Sequence, residues 1–266
     1  MTRIISIASG KGGVGKTFIS LQISGALAAM GKSVLLFDGD LGLANIHVVL
    51  GLKPLYDMSA VVAGEKTVVD ILIDGPGGIK ILPGSSGVRH MAELSVTDLS
   101  KVLQGFDELV PPPDVMIIDA GAGIGDHVTS LIRLSDRLVV VVRDEAASLA
   151  DGYALIKVMH QEFGYEAFDI VVNDVESMER GRAIYTKLND VANRFLGVAL
   201  RHLGTIPHDQ AVVDTARRKT LLGLHAPHSA AANAMRSLAK DVMQQLAPNA
   251  GPLYLIDRLT QKKGRP

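Results

Sequence analysis

A short apolar run, Ile4-Ile5-Ser6-Ile7-Ala8, leads directly into Gly10-Lys11-Gly12-Gly13-Val14-Gly15-Lys16-Thr17, and a helical stretch from Phe18 to Met30 follows. The run reads as a buried strand, so the glycines fall in a strand-to-helix turn. Such a turn lets successive backbone N–H groups converge on anionic oxygens, and the start of the helix adds its positive dipole end. Lys16 is placed to reach the β and γ phosphates of a nucleotide, and the Thr17 hydroxyl to ligate Mg²⁺. A bare Gly-x-Gly would be explained by an ordinary turn. Here every position from Gly10 to Thr17 fits a phosphate-binding loop in the right context, so nucleotide binding is the expected activity.

Lys11 is not required by that pattern. At the crest of the loop its side chain points away from the phosphates below, and two readings stay open. It is a solvated surface lysine, or in a face-to-face dimer it crosses to neutralise charge on the partner's nucleotide, as an arginine finger does.

Two further strand-like runs end in carboxylates. Ser33 to Phe37 stops at Asp38-Gly39-Asp40, and Val115-Met116-Ile117-Ile118 stops at Asp119. In a parallel sheet the carboxyl ends of strands face the same crevice as the phosphate loop. Asp40 there could orient or deprotonate the attacking water, Asp38 hold the hydration shell of the metal, and Asp119 accept hydrogen bonds from Mg²⁺-bound water. The glycines of Ala120-Gly121-Ala122-Gly123-Ile124-Gly125-Asp126 let backbone come close to a terminal phosphate and move when it leaves. Another strand, Ile170-Val171-Val172, ends in Asn173, whose carboxamide offers a donor and an acceptor to an adenine edge and serves equally well as a structural amide.

The octet resembles the deviant Walker A box of the MinD/ParA family of ATPases, whose signature lysine works in trans between subunits. Leu41-Gly42-Leu43-Ala44-Asn45 after Asp40, and the run Asp119-Ala120-Gly121-Ala122-Gly123-Ile124, look like the flagellar branch of that family, FlhG (also called FleN). Ile206-Pro207-His208-Asp209 matches the family's Ile-Pro-x-Asp turn beside the adenine ring, which implies nucleotide contacts for Pro207 and Asp209 and, with them, Asn173. There are departures. His47 stands where an aspartate is expected and reads as a helix-surface substitution, not a metal ligand. Arg143-Asp144-Glu145-Ala146 replaces the usual Thr-Pro-Glu-Pro, which leaves that loop without its prolines.

The resemblance spans nearly the whole chain and implies a single-domain α/β fold with a mainly parallel, doubly wound sheet. It implies an ATP- and Mg²⁺-dependent switch that dimerises with ATP, with Lys11, Lys16 and Asp40 as catalytic residues and Thr17, Asp38 and Asp119 at the metal. The expected domain is 1–247, followed by a linker and a short apolar and basic tail, 248–266, with Leu253-Tyr254-Leu255-Ile256 and Lys262, Lys263 and Arg265. Such a tail suits reversible, peripheral attachment to the inner face of the cytoplasmic membrane; a frayed terminus or a helix docked on the domain is the competing reading. The flagellar GTPase FlhF, or flagellar switch and regulator proteins, are the partners the resemblance implies. Many FlhG proteins carry an N-terminal activation motif for FlhF; here the first strand begins almost at Met1, so a GTPase-activating role is not expected. A division-site MinD, a ParA-type cargo partitioner and a weakly hydrolysing anti-activator are the rival readings.

Composition narrows the field. With 266 residues and 47% hydrophobic content the chain can bury one sizeable core, and a formal net charge of -1 demands no polyanionic partner. Arg217-Arg218-Lys219 reads as solvated or dipole-favoured charge, so nucleic acid is not an expected partner. The absence of cysteine excludes disulfides, a thiol nucleophile and thiolate-held clusters. No stretch is long enough to span a bilayer, and a cytoplasmic protein is expected. Leu94 to Leu109 is expected to be helical. The helix over 179–196 is expected to pack Tyr185, Leu188, Val191 and Phe195 into the core, and His225 and His228 to lie in a loop.

Overall fold

The computed structural model describes residues 2–40, 44–85 and 96–244. Its elements in chain order are β1 (Arg3–Ser9), α1 (Lys16–Ala29), β2 (Val34–Gly39), α2 (Ile46–Leu50), α3 (Met58–Val62), α4 (Val68–Ile71), β3 (Ile73–Asp74) and β4 (Lys80–Leu82). Then come α5 (Val96–Gln104), β5 (Val115–Ala122), α6 (Asp126–Arg133), β6 (Arg137–Val142), α7 (Ala146–Phe163), β7 (Phe168–Val175) and α8 (Met178–Leu196). The described residues close with β8 (Arg201–Pro207), α9 (Gln210–Arg217), α10 (Leu222–His225) and α11 (Ala230–Met243).

The strands form one sheet in the order β3-β4-β2-β5-β1-β6-β7-β8. All neighbours are parallel except the β3–β4 edge pair. Strands covered on both faces read as continuous apolar runs whose alternate residues serve opposite cores. Ile5 and Ile7 of β1, with Val139 and Val141 of β6, join the cluster under α1 and α11. Ile4 and Ala8 of β1, with Leu138, Val140 and Val142 of β6, join the clusters on the other face. The two core layers are thus interleaved residue by residue.

Helix α1 is enclosed between the sheet and α11, which buries Ser20, Gln22 and Ser24 along with Ile19, Leu21, Ile23 and Leu27. The buried Ser24 hydroxyl is satisfied within the helix, donating to Ser20 O at 2.7 Å. Burying the helix that carries Lys16 and Thr17 fixes the loop's last turn to the middle of the sheet.

Three expectations need correction. The 94–109 helix is shorter, with α5 followed by a 3₁₀ turn over Gly105–Glu108. On α8 the buried face is Gly181, Ile184, Leu188 and Ala192, whereas Val191 and Phe195 are exposed. Gly181 lets the helix lie against Thr205, since a Cβ there would meet its side chain at 2.3 Å, and this turns the helix about its axis away from the bulkier residues. His225 is the last residue of α10, and only His228 lies in the turn beyond it. The division at residue 247 and the tail fall outside the described residues, as do residues 41–43. Among the described residues no helix is long and apolar enough to cross a membrane.

Candidate functional site

Strand β1 lies between β5 and β6, and β2 lies on the far side of β5. The phosphate loop therefore emerges at the carboxyl end of the central strand, beside those of β2 and β5. Two glycines in it are sterically required. A Cβ on Gly10 would fall 2.0 Å from the carbonyl oxygen of Asp151 in α7. Gly15, which precedes α1, has φ 91°, and a Cβ there would fall 2.4 Å from Asn173 Nδ2. That amide nitrogen donates to Val14 O at 2.8 Å, so Asn173 ties β7 to the loop.

Lys16 and Asp119 are buried together. Lys16 Nζ donates to Asp119 Oδ1 at 3.0 Å, and Ser20 Oγ, one helical turn beyond Lys16, donates to the same oxygen at 3.0 Å. Asp119 Oδ2 is buried without a hydrogen-bond partner. Asp38 is the direct register neighbour of Asp119 across β2 and β5 and is fully buried. Burial, and then the neighbouring Asp119 charge, push the Asp38 carboxyl up to about 7, against the backbone N–H groups of Ile46, Asn45 and Asp40. Its Oδ2 accepts from Asn45 N and Ile46 N at 2.9 Å each, so Asp38 holds the start of α2, the helix that follows residues 41–43.

Two adjacent carboxylates, one with an orphaned buried oxygen, beside a lysine and the half-buried Thr17, form a donor set of hard oxygens. This is what a hydrated Mg²⁺ requires, so the residues present fit the ion. Among the described residues no group of three or more His, Cys, Asp or Glu side chains is placed to hold a metal ion.

Asp40 lies beyond the end of β2 with Oδ1 3.9 Å from where a Cβ at Gly121 would sit, at the mouth of the second glycine-rich loop. That loop is tied to the first by Gly123 N donating to Ser9 O at 3.0 Å.

The crest and the far rim are held differently. Lys11 Nζ pairs with Glu145 Oε2 at 2.8 Å, and Glu145 Oε1 lies 3.6 Å from Arg143 Nη1. Arg143 also pairs with Asp174, which accepts from His208 Nδ1 at 2.7 Å. Arg180 clasps Asp144 through both carboxylate oxygens, at 2.6 and 2.8 Å. The loop 143–146, lacking prolines, is thus staked by ion pairs instead.

Pro207 ends β8 next to this network. Asp209 has both carboxylate oxygens engaged by backbone: Oδ1 accepts from Ala211 N and Oδ2 from Ala231 N, at 2.9 Å each, joining the starts of α9 and α11. His47, expected on a helix surface, is half-buried with Nδ1 shielded and unpaired.

Sequence reasoning missed Ser20, Asp174 and His208, and treated Glu145 only as part of a variant loop. Ser20 had a signal, since it stands four residues after Lys16 on the same helix face. Asp174 had none, because its φ of 58° and its bridging position arise from the tertiary fold.

The family model described as CobQ/CobB/MinD/ParA nucleotide binding domain matches residues 5–222. The chain is 38% identical over 263 residues to the antiactivator FleN of Pseudomonas aeruginosa, covering 97% of this chain and 94% of that protein. It is 29% identical over 250 residues to the flagellum site-determining protein YlxH of Helicobacter pylori, covering 94% and 84% of the two chains. Among solved structures, the septum site-determining protein MinD of Pyrococcus horikoshii, complexed with Mg-ADP, superposes with a TM-score of 0.76 at 29% identity, covering 92% of this chain and 97% of that one.

Proposed function

The chain belongs to the CobQ/CobB/MinD/ParA nucleotide-binding family, and from that premise we propose that it is an ATP-hydrolysing switch that dimerises with ATP and regulates flagellar number or placement. The observation that carries the chemistry is the buried Lys16–Asp119 pair with its orphaned Asp119 Oδ2. The pair neutralises a buried charge; were a phosphate to take the lysine, Asp119 would be left to hold the hydration shell of a metal.

Lys16 would then hold the terminal phosphates, Thr17 and Asp119 would hold Mg²⁺, and Asp38 would support its waters. Mg²⁺, when bound, neutralises charge developing on the transferred phosphoryl group. Asp40, at the mouth of the crevice, would orient the attacking water or accept its proton. Lys11 would leave Glu145 and reach the nucleotide of a second copy. Asn173 and Pro207 would border the base, whereas Asp209 would act through the position of α9 and α11.

The flagellar role rests on the likeness to FleN and YlxH, one an antiactivator and the other a flagellum site-determining protein. Protein partners of the flagellar machinery are proposed on the same ground, and attachment to the cytoplasmic membrane is proposed from the composition of residues 253–266. Calorimetry with Mg-ATP, paired with light scattering of wild type and Asp40→Ala, tests the switch. Uptake of ATP with dimer accumulating in the Asp40→Ala variant is the expected result, and absence of uptake overturns the proposal. Sedimentation with anionic vesicles, with and without residues 253–266, tests the tail, and counts of flagella and septa in a deletion strain separate flagellar from division control.

A further inference from the structure

The second residue of α6 is His127, two positions beyond the last glycine of the second switch loop. Its half-buried imidazole is folded back over that loop. Nε2 lies 3.4 Å from where a Cβ at Gly121 would sit, and Nδ1 and Cε1 each lie 3.3 Å from the corresponding point at Gly125. Asp40 Oδ1 lies 3.9 Å from the same Gly121 point. The imidazole of α6 and the carboxylate that follows β2 therefore approach one backbone carbon from different elements.

We infer that His127 is a positioning residue for Asp40, hydrogen-bonding its carboxylate when the glycine loop closes on a terminal phosphate and so holding it on the attacking water. This rests on the ATPase reading above. Three features of the geometry support it. Gly121 and Gly125 have no side chain to separate the ring from the loop. After Val128 Cγ2 at 3.2 Å, the next atoms around that Gly121 point are Nε2, a nitrogen able to donate, and the Asp40 carboxylate oxygen, able to accept. Both groups border a loop fastened to the end of β1, just before the phosphate loop, by Gly123 N donating to Ser9 O. A half-buried carboxylate just beyond a strand loses rotamer freedom when a neighbour binds it, and a water-positioning group gains rate from that restriction.

The test is single-turnover phosphate release from the full chain saturated with Mg-ATP. His127→Leu is expected to slow release about tenfold with ATP affinity unchanged, the signature of a group that acts after binding. His127→Gln, whose amide nitrogen takes the place of Nε2, is expected to recover most of the rate. In an Asp40→Ala background His127→Leu should cost nothing further, because the group it positions is gone.

A wild-type rate for His127→Leu, a His127→Gln variant as slow as His127→Leu, or an undiminished loss in the Asp40→Ala background would each overturn the inference. In those cases the ATPase reading stands as long as Asp40→Ala is itself impaired. If wild type releases no phosphate faster than Asp40→Ala, the ATPase reading fails and the inference fails with it.

Discussion

Two lysines five residues apart in one loop sit in opposite environments. The Lys16 side chain is 8% exposed and paired with an Asp119 side chain that is 1% exposed, whereas those of Lys11 and Glu145 are 35% and 43% exposed. A buried pair is held because neither charge can be left alone out of water, while an exposed pair is screened and contributes little to stability. The inner lysine can be drawn away only by another charge that takes its place, as a phosphate does. The outer one can change partners at almost no cost. Under the proposed function the loop would combine a group that exchanges its pair for a phosphate with a group free to serve a neighbour, and substitutions in the two halves should separate binding from assembly.

The largest effect is expected for Lys16→Ala. ATP binding and hydrolysis should be lost. Stability should fall by roughly 3–5 kcal/mol, since Asp119 is left buried without its counter-ion. Urea denaturation beside calorimetry checks both. A variant as stable as wild type would mean that Asp119 does not depend on Lys16 for its counter-ion.

Lys11→Ala should reverse that pattern. Stability and ATP affinity should stay near wild type, while the ATP-dependent dimer is lost and turnover falls by on the order of a thousandfold, as for a missing finger in trans. An intact dimer by light scattering would collapse the contrast between the two lysines.

Much of the inner region was legible in the sequence because its parts are local. The octet, the two strand-end carboxylates and the glycine loop are each contiguous, and a parallel sheet gathers strand ends on one side whatever the connections. What was not legible depends on residues distant in sequence. The register that sets Asp38 against Asp119 joins positions 81 residues apart (119 − 38), and the Lys16–Asp119 pair joins positions 103 apart. Asp209 is an instructive case: the Ile-Pro-x-Asp turn was recognised, but its carboxylate caps two helices whose convergence no local pattern reveals. Val191 and Phe195 misled because helical spacing identifies an apolar stripe without saying which stripe faces the sheet, and the small Gly181 and Ala192 decided it.

A pH series sharpens the inner half further. The Asp38 pKa is raised from 3.8 to about 7 in the fold, so the folded state binds this proton more tightly. That contribution is fully present below pH 4 and is lost as the pH rises through 7. In EDTA, wild type should lose up to roughly 4 kcal/mol between pH 4 and pH 8 through this group. Asp38→Asn should flatten that portion of the curve while keeping an acceptor for the start of α2. Parallel curves for the two proteins would show that Asp38 titrates normally.

The smallest expected effect concerns the outer half. Glu145→Gln removes the charge that holds Lys11 in its own subunit but leaves Asp144 clasped by Arg180 and Arg143 paired with Asp174, so loop 143–146 keeps its other anchors. Because the Lys11–Glu145 pair is exposed and screened, releasing it can bias assembly only slightly. The ATP concentration at half-maximal dimer should fall by about two- to fivefold, the melting temperature should hardly move, and raised salt should erase the difference between variant and wild type, since salt already weakens the wild-type pair. A shift in the opposite direction would mean that Glu145 guides Lys11 toward the partner instead of restraining it. The outer pair would then belong to the assembled state, and the ease of breaking it could no longer explain how the loop is freed.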